Sequence, residues 1–189
     1  LKWGLWETIE TRTFPGSVSN HHLGTLLGQL MAAYEMNAFK DEYQKAVVEN
    51  AKHFAKCLAA EGLDVAGDPA MDYTETHQVI VKVGYAHGPE VADRLEANNI
   101  VCNYQATPEE EGFSASGALR MGVNEMTRFG FGKEDFAKLA HLIADCVLHH
   151  ANVKEEVKKL RAEHLEMKYC FSDKDTEELL NAFASATGI

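Results

Sequence analysis

The sequence predicts an α+β fold in which helices pack against one small, mainly antiparallel sheet. Three observations carry this. Apolar residues recur at helical spacing in the first and last thirds of the chain, short β-branched runs are confined to the middle, and Gly or Pro punctuates the junctions.

Residues 1–13 hold two tryptophans without clear periodicity and read as a lead-in. Phe14-Pro15-Gly16 then forms a turn. From Asn20, the residues Leu23, Leu26, Leu27, Leu30 and Met31 recur at helical spacing, with Ser19 or Asn20 as N-cap. A second helix, about Asp41 to Glu61, presents Tyr43, Val47, Ala51, Phe54 and Leu58 on one face and ends at Gly62. Thr76 to Val83 ("THQVIVKV") reads as a strand, and Gly88-Pro89 opens a helix through Asn98. Ile100 to Tyr104 and Gly117 to Met121 are two further strands, separated by the loop "ATPEEEGFSAS", whose acidic run reads as solvated. Phe136, Leu139, Ala140, Ile143 and Val147 mark an amphipathic helix from Lys133. Another helix is expected from about Val153 to Met167, and a last one begins where Ser172 can cap it. The expected organisation is a segment and helix over 1–36, a small α+β domain over 37–151, and a helical C-terminal extension over 152–189 that could stand as a separate appendage.

Of 189 residues, 46% are hydrophobic and 25% charged, as in an ordinary globular protein. A net charge of −11 and the lack of a basic stripe argue against nucleic-acid binding, which needs clustered Lys and Arg. No apolar run is long enough to span a bilayer, so no membrane partner is expected. Cys57, Cys102, Cys146 and Cys170 are far apart in apolar neighbourhoods, which suits reduced thiols and a cytoplasmic compartment. The chain begins at Leu1 rather than Met, as a fragment, a processed product or a trimmed chain would.

Two places can carry chemistry. Arg120 sits in "SGALRMG", where its guanidinium needs a partner; it could bind a carboxylate bidentately, or form an internal salt bridge with one of the 29 acidic residues. Ser17 to His22 brings hydroxyls, an amide and backbone N–H groups to a helix start, a place suited to phosphate, although Ser19 or Asn20 could simply cap the helix. Adjacent His21 and His22 point apart on a helix, so no metal site is expected there. His77 reads as structural, and His149 and His150 close a helix.

Taken in order, "TFPGSVSNHHLG", "FKDEYQKAVVENAK", "THQVIVKV", "NNIVCNYQATP" and "SGALRMGVNEMTRFGFGKEDF" resemble the C-terminal half of the serine hydroxymethyltransferase family, pyridoxal-phosphate enzymes of fold type I. The likeness runs from about Thr11 to Val147. It implies the small C-terminal domain of such an enzyme, acting in amino-acid and one-carbon metabolism as a homodimer or higher oligomer. It implies that Arg120 grips the amino-acid substrate's α-carboxylate, and that Ser19 and Asn20, standing where the family has glycines, help hold the cofactor phosphate of a neighbouring subunit. It places Asn103, Tyr104 and Gln105 on the substrate and tetrahydrofolate side, with Tyr104 replacing a lysine and Gln105 an asparagine. A threonine aldolase or transaldolase type fits these departures equally well.

The family's Schiff-base lysine lies upstream of the Phe-Pro-Gly turn, where only Lys2 stands here, so no catalytic residue is expected in this chain. That lysine would come from an N-terminal large domain or a partner chain, and the chain alone would be inactive. The rival expectation is a stand-alone binding or assembly module without catalysis.

Overall fold

The structure, a computed structural model, describes residues 3–110 and 115–188. Lys2 and the centre of the acidic loop, 111–114, fall outside the described residues. The chain divides into two units, Leu1–Ala38 and Phe39–Ile189.

In the first unit, helix α1 (Trp6–Thr11) runs into a wide turn over Arg12–Ser17 containing the cis Phe14-Pro15 bond. The turn is closed by Val18 N–H donating to Thr13 O at 2.9 Å and by the Ser17 hydroxyl donating to Arg12 O at 2.9 Å. Trp6, Ile9, Phe14, Leu27 and Leu30 all lie about half or more exposed, a large apolar surface for so short a segment.

Helix α2 spans Leu23–Ala60, one helix of 38 residues where the periodicity suggested two. The reason is local. Nothing between Gly28 and Gly62 is a breaker, and Ala32 to Lys40 are mostly good helix formers, so the change of apolar face at Asp41 marks a change of surroundings rather than an end. The start also differs: the helix begins at Leu23, with Leu26 N–H donating to His22 O, and Ser19 and Asn20 lie outside it. Gly62 ends it as expected, at φ 93°, with Leu63 N–H donating to Leu58 O.

The second unit is built on a four-stranded antiparallel sheet of β1 (Asp64–Val65), β2 (Gln78–Lys82), β3 (Asn103–Gln105) and β4 (Ala118–Gly122) in the order β1-β2-β4-β3. The two-residue β1 is too short to show periodicity. Helix α3 (Gly88–Ala97) crosses between β2 and β3; α4 (Asn124–Arg128), α5 (Lys133–His149), α6 (Lys154–Ala162) and α7 (Asp173–Thr187) come after β4. Val79, Val81, Leu119 and Met121 alternate onto one face of the sheet and are buried with Phe54 and Leu58 of α2, Leu95 of α3 and Phe136 and Ile143 of α5. Burying each of the larger side chains contributes about 2–3 kcal/mol.

Buried polar groups tie the helices together. Asn50 of α2, 6% exposed, donates to Thr127 Oγ1 and to Phe131 O, both at 3.0 Å, while Thr127 donates to Val123 O at 2.8 Å. Asn98 donates to Arg94 O at 3.0 Å and accepts from Val153 N–H at 2.8 Å, joining α3 to the entry of α6.

The residues after Asn152 join this same unit instead of standing apart. Helix α6 buries Val157 and Leu160, Tyr169 packs on Tyr43 at 5.1 Å, Phe171 packs on Phe39 at 5.6 Å, and His164 reaches Asp135 at 3.3 Å. Helix α7 starts where the sequence places it, with the Ser172 hydroxyl accepting from Asp175 N–H and the Asp175 carboxylate accepting from Ser172 N–H.

These contacts can be tested in the core and at the surface. Asn50→Ala leaves Phe131 O and Thr127 Oγ1 without their buried donor and is expected to cost about 1–3 kcal/mol. Urea unfolding checks it, as a lower midpoint at unchanged slope. At the surface, His141 of α5 sits 3.1 Å from Glu61 and 3.6 Å from Asp145. The Glu61 hydrogen bond, then the charge of Asp145, raises the imidazole above its ordinary 6.5, so the contact stabilises fully below about pH 6.5 and fades as pH rises through the raised value. Because His141 is 59% exposed, the gain is at most about 1 kcal/mol. Wild type should melt above His141→Gln at pH 5.5 and match it by pH 9; a gap constant with pH would sink this reading.

Candidate functional site

Strand β4 lies between β2 and β3, so each of its residues has a neighbour on either side. Arg120 is paired with Ile80 on β2 and Asn103 on β3; Ala118 is paired with Lys82 and Gln105. Directly opposed residues on antiparallel strands share a face. Arg120, Asn103, Gln105 and Lys82 therefore stand together on the face opposite the buried one. Tyr104 is paired with Leu119 and follows the pleat to the other face, where a Cβ on Gly88 of α3 would meet Tyr104 Cβ at 3.0 Å. Of the three neighbours expected on the substrate side, the sheet brings Asn103 and Gln105 to Arg120 and sends Tyr104 away, leaving that residue 51% exposed.

The two cations on this face differ. Lys82 pairs with Glu109 at 3.3 Å. The Thr107 hydroxyl, the local backbone and then Lys82 hold the Glu109 carboxyl below its usual range. Arg120, half-buried, has no ion pair and no side-chain hydrogen bond among the described residues, so no internal salt bridge to a described carboxylate accounts for it. A guanidinium held by its strand with its fork unengaged is suited to a planar carboxylate. Beside Asn103, burial pushes the Cys102 thiol up to about 11, which keeps it protonated and a poor nucleophile at neutral pH.

Within the acidic run read as solvated, the described residues Glu109 and Glu110 have partners. Glu109 is exposed but paired, and Glu110 is half-buried, its Oε2 accepting from Thr107 N–H at 2.6 Å and from Gly117 N–H at 3.2 Å. Charge alone does not distinguish such a carboxylate from a solvated one; the Ser116-Gly117 pair was the available signal, since a glycine admits close approach.

Ser19 and Asn20 belong to the first unit and are exposed. Asn20 Oδ1 accepts from His21 N–H at 2.9 Å, a local turn bond and not the helix cap expected, because the helix starts three residues after Asn20. The Ser19 hydroxyl, and the Ser19 and Asn20 backbone N–H groups, make no hydrogen bond among the described residues. That donor set fits a phosphate group. No group of three His, Cys, Asp or Glu side chains is placed to hold a metal ion, and no helix is long and apolar enough to cross a membrane, among the described residues.

The chain matches the family model for serine hydroxymethyltransferase over residues 2–143. It is 37% identical to serine hydroxymethyltransferase of Sulfolobus acidocaldarius over 177 residues, covering 90% of this chain and 41% of that protein. It is 39% identical to the enzyme of that name from Pyrobaculum aerophilum, covering 86% of this chain and 38% of the relative. The crystal structure of L-threonine transaldolase from Pseudomonas fluorescens superposes with a TM-score of 0.78 at 30% identity, over 91% of this chain and 40% of that one. The chain thus spans about two fifths of the length of the proteins it matches. Its antiparallel sheet with packed helices corresponds to the small C-terminal domain of a fold-type I pyridoxal-phosphate enzyme. The chain belongs to the serine hydroxymethyltransferase family.

Proposed function

We infer that this chain is the C-terminal portion of a pyridoxal-phosphate enzyme that makes or breaks the Cα–Cβ bond of β-hydroxy amino acids. The observation that carries the reading is Arg120, held by β4 on the open polar face with its fork unengaged among the described residues. Two parallel N–H···O bonds to an α-carboxylate would fix the substrate's Cα, and Asn103, opposed across the ladder, offers a further amide to the same group.

The family's cofactor finds a fitting partner in the Ser17–Asn20 turn, where the Ser19 hydroxyl and the backbone N–H groups of Ser19 and Asn20 would hold the phosphate, in a neighbouring subunit of a homodimer or larger oligomer. When bound, it supplies an electron sink for the charge left on Cα. Its lysine comes from the part of the family's length that this chain does not span, so the chain by itself is inactive. The exposed apolar residues of the first unit, Trp6, Phe14 and Leu27 among them, are what that missing part would cover. Four free thiols suit a reducing, cytoplasmic setting.

A second reading concerns the aldehyde. Tyr104 and Gln105 replace the family's lysine and asparagine, and the likeness to an L-threonine transaldolase favours an aldehyde other than a folate-borne one-carbon unit.

The test assembles this chain with a lysine-bearing N-terminal portion and follows cleavage of a β-hydroxy amino acid. Arg120→Ala should raise KM about 10–100-fold, the loss of a charge-assisted pair worth about 1.5–3 kcal/mol, with Arg120→Lys falling between. An unchanged KM in a folded Arg120→Ala assembly would return Arg120 to a structural role, and absence of any cleavage by the wild-type assembly would favour a non-catalytic module.

A further inference from the structure

Strand β3 is a weakly held element of the polar face. It has three residues, lies at the edge of the sheet and pairs only with β4, yet it carries Asn103 and Gln105. An edge strand this short gains little from its own ladder and needs support from the chain beyond it. That chain is the turn Thr107–Glu110, in which Glu110 N–H donates to Thr107 O at 3.0 Å.

The Glu110 carboxylate closes that turn and reaches past it. One oxygen, Oε2, accepts from Thr107 N–H at 2.6 Å and from Gly117 N–H at 3.2 Å, so a single side chain joins the residues just after β3 to the residue just before β4. The Gly117 end is anchored independently: Gly117 O accepts from Val83 N–H and Ser116 O from Gly88 N–H, both at 2.8 Å. Glu110 thus ties a loosely held segment to a firmly held one. Gly117 is shaped for this, because a Cβ there would lie 2.1 Å from Glu110 Oε1 and 2.8 Å from Gly84 O. Charge-assisted acceptance from two backbone N–H groups is among the stronger hydrogen bonds available to a turn.

We propose that Glu110 is a positioning residue for the substrate face, holding β3 in register against β4 so that Asn103 and Gln105 stay beside Arg120. It touches no substrate; it acts through the strand. The proposal rests on the reading of Arg120 as the carboxylate anchor, and its test separates the two.

Hydrogen exchange on this chain comes first. In Glu110→Ala the β3 amides should exchange at least 10-fold faster, while the β2–β4 ladder from Val79 to Lys82 stays as protected as in wild type. Glu110→Gln, which keeps an acceptor oxygen, should fall between and covers the case in which Glu110→Ala does not fold. Unchanged β3 exchange in a folded variant, or equal loosening of β2 and β4, overturns the proposal. In the assembled enzyme, Glu110→Ala should raise the amino-acid KM about 3–10-fold at unaltered kcat. A fall in kcat without a KM change would overturn the positioning role. If β3 loosens but Arg120→Ala leaves KM unchanged, the anchor reading fails while the support of β3 by Glu110 stands.

Discussion

The period-two alternation of β4 is the constraint on which the second unit depends. Leu119 and Met121 point one way and are buried; Arg120, between them, points the other and keeps its guanidinium out of the apolar core. A one-residue slip of β4 against β2 would bury the arginine and expose two core side chains, so core packing and site geometry enforce the same register. The five-residue ladder from Gln78↔Gly122 to Lys82↔Ala118 makes that register costly to leave. Asn103 and Gln105 inherit their positions by pairing to the outer edge of the same strand.

The sheet is in turn held by helices whose contacts are partly polar. Asn50, Thr127 and Phe131 O form a buried chain of hydrogen bonds between α2 and the segment after β4. Asn98 does the same between α3 and α6. Buried amides of this kind specify one arrangement, because any shift leaves a donor or acceptor unpaired away from water. The tail uses aromatic contacts instead, with Tyr169 and Phe171 laid on Tyr43 and Phe39 of the long helix. These contacts make residues beyond the matched 2–143 part of the second unit.

Electrostatics then sort the polar face. Lys82 is paired with Glu109, whereas Arg120 has no ion pair among the described residues. The acidic loop that supplies Glu109 also supplies Glu110, and the two carboxylates have different work: one quiets a lysine, the other ties a turn. An overall charge of −11 makes such assignments impossible to guess from composition.

The amino-acid sequence by itself determined the α+β class, the strands around Gln78–Lys82 and Ala118–Gly122, helices α3 and α5, the Gly62 stop and the Ser172 cap, because each rests on local spacing or on one residue's backbone preference. The family was legible in ordered motifs. The tertiary structure decided the rest. It made α2 continuous through Asp41, since a change of buried face looks like a break when only periodicity is read. It moved the helix start from Asn20 to Leu23, because a side chain able to cap a helix can also bond its own neighbour. It separated Tyr104 from Asn103 and Gln105, and gave Glu110 its two backbone donors. Pleat register and contacts that skip along the chain are set by packing, and no local pattern encodes them.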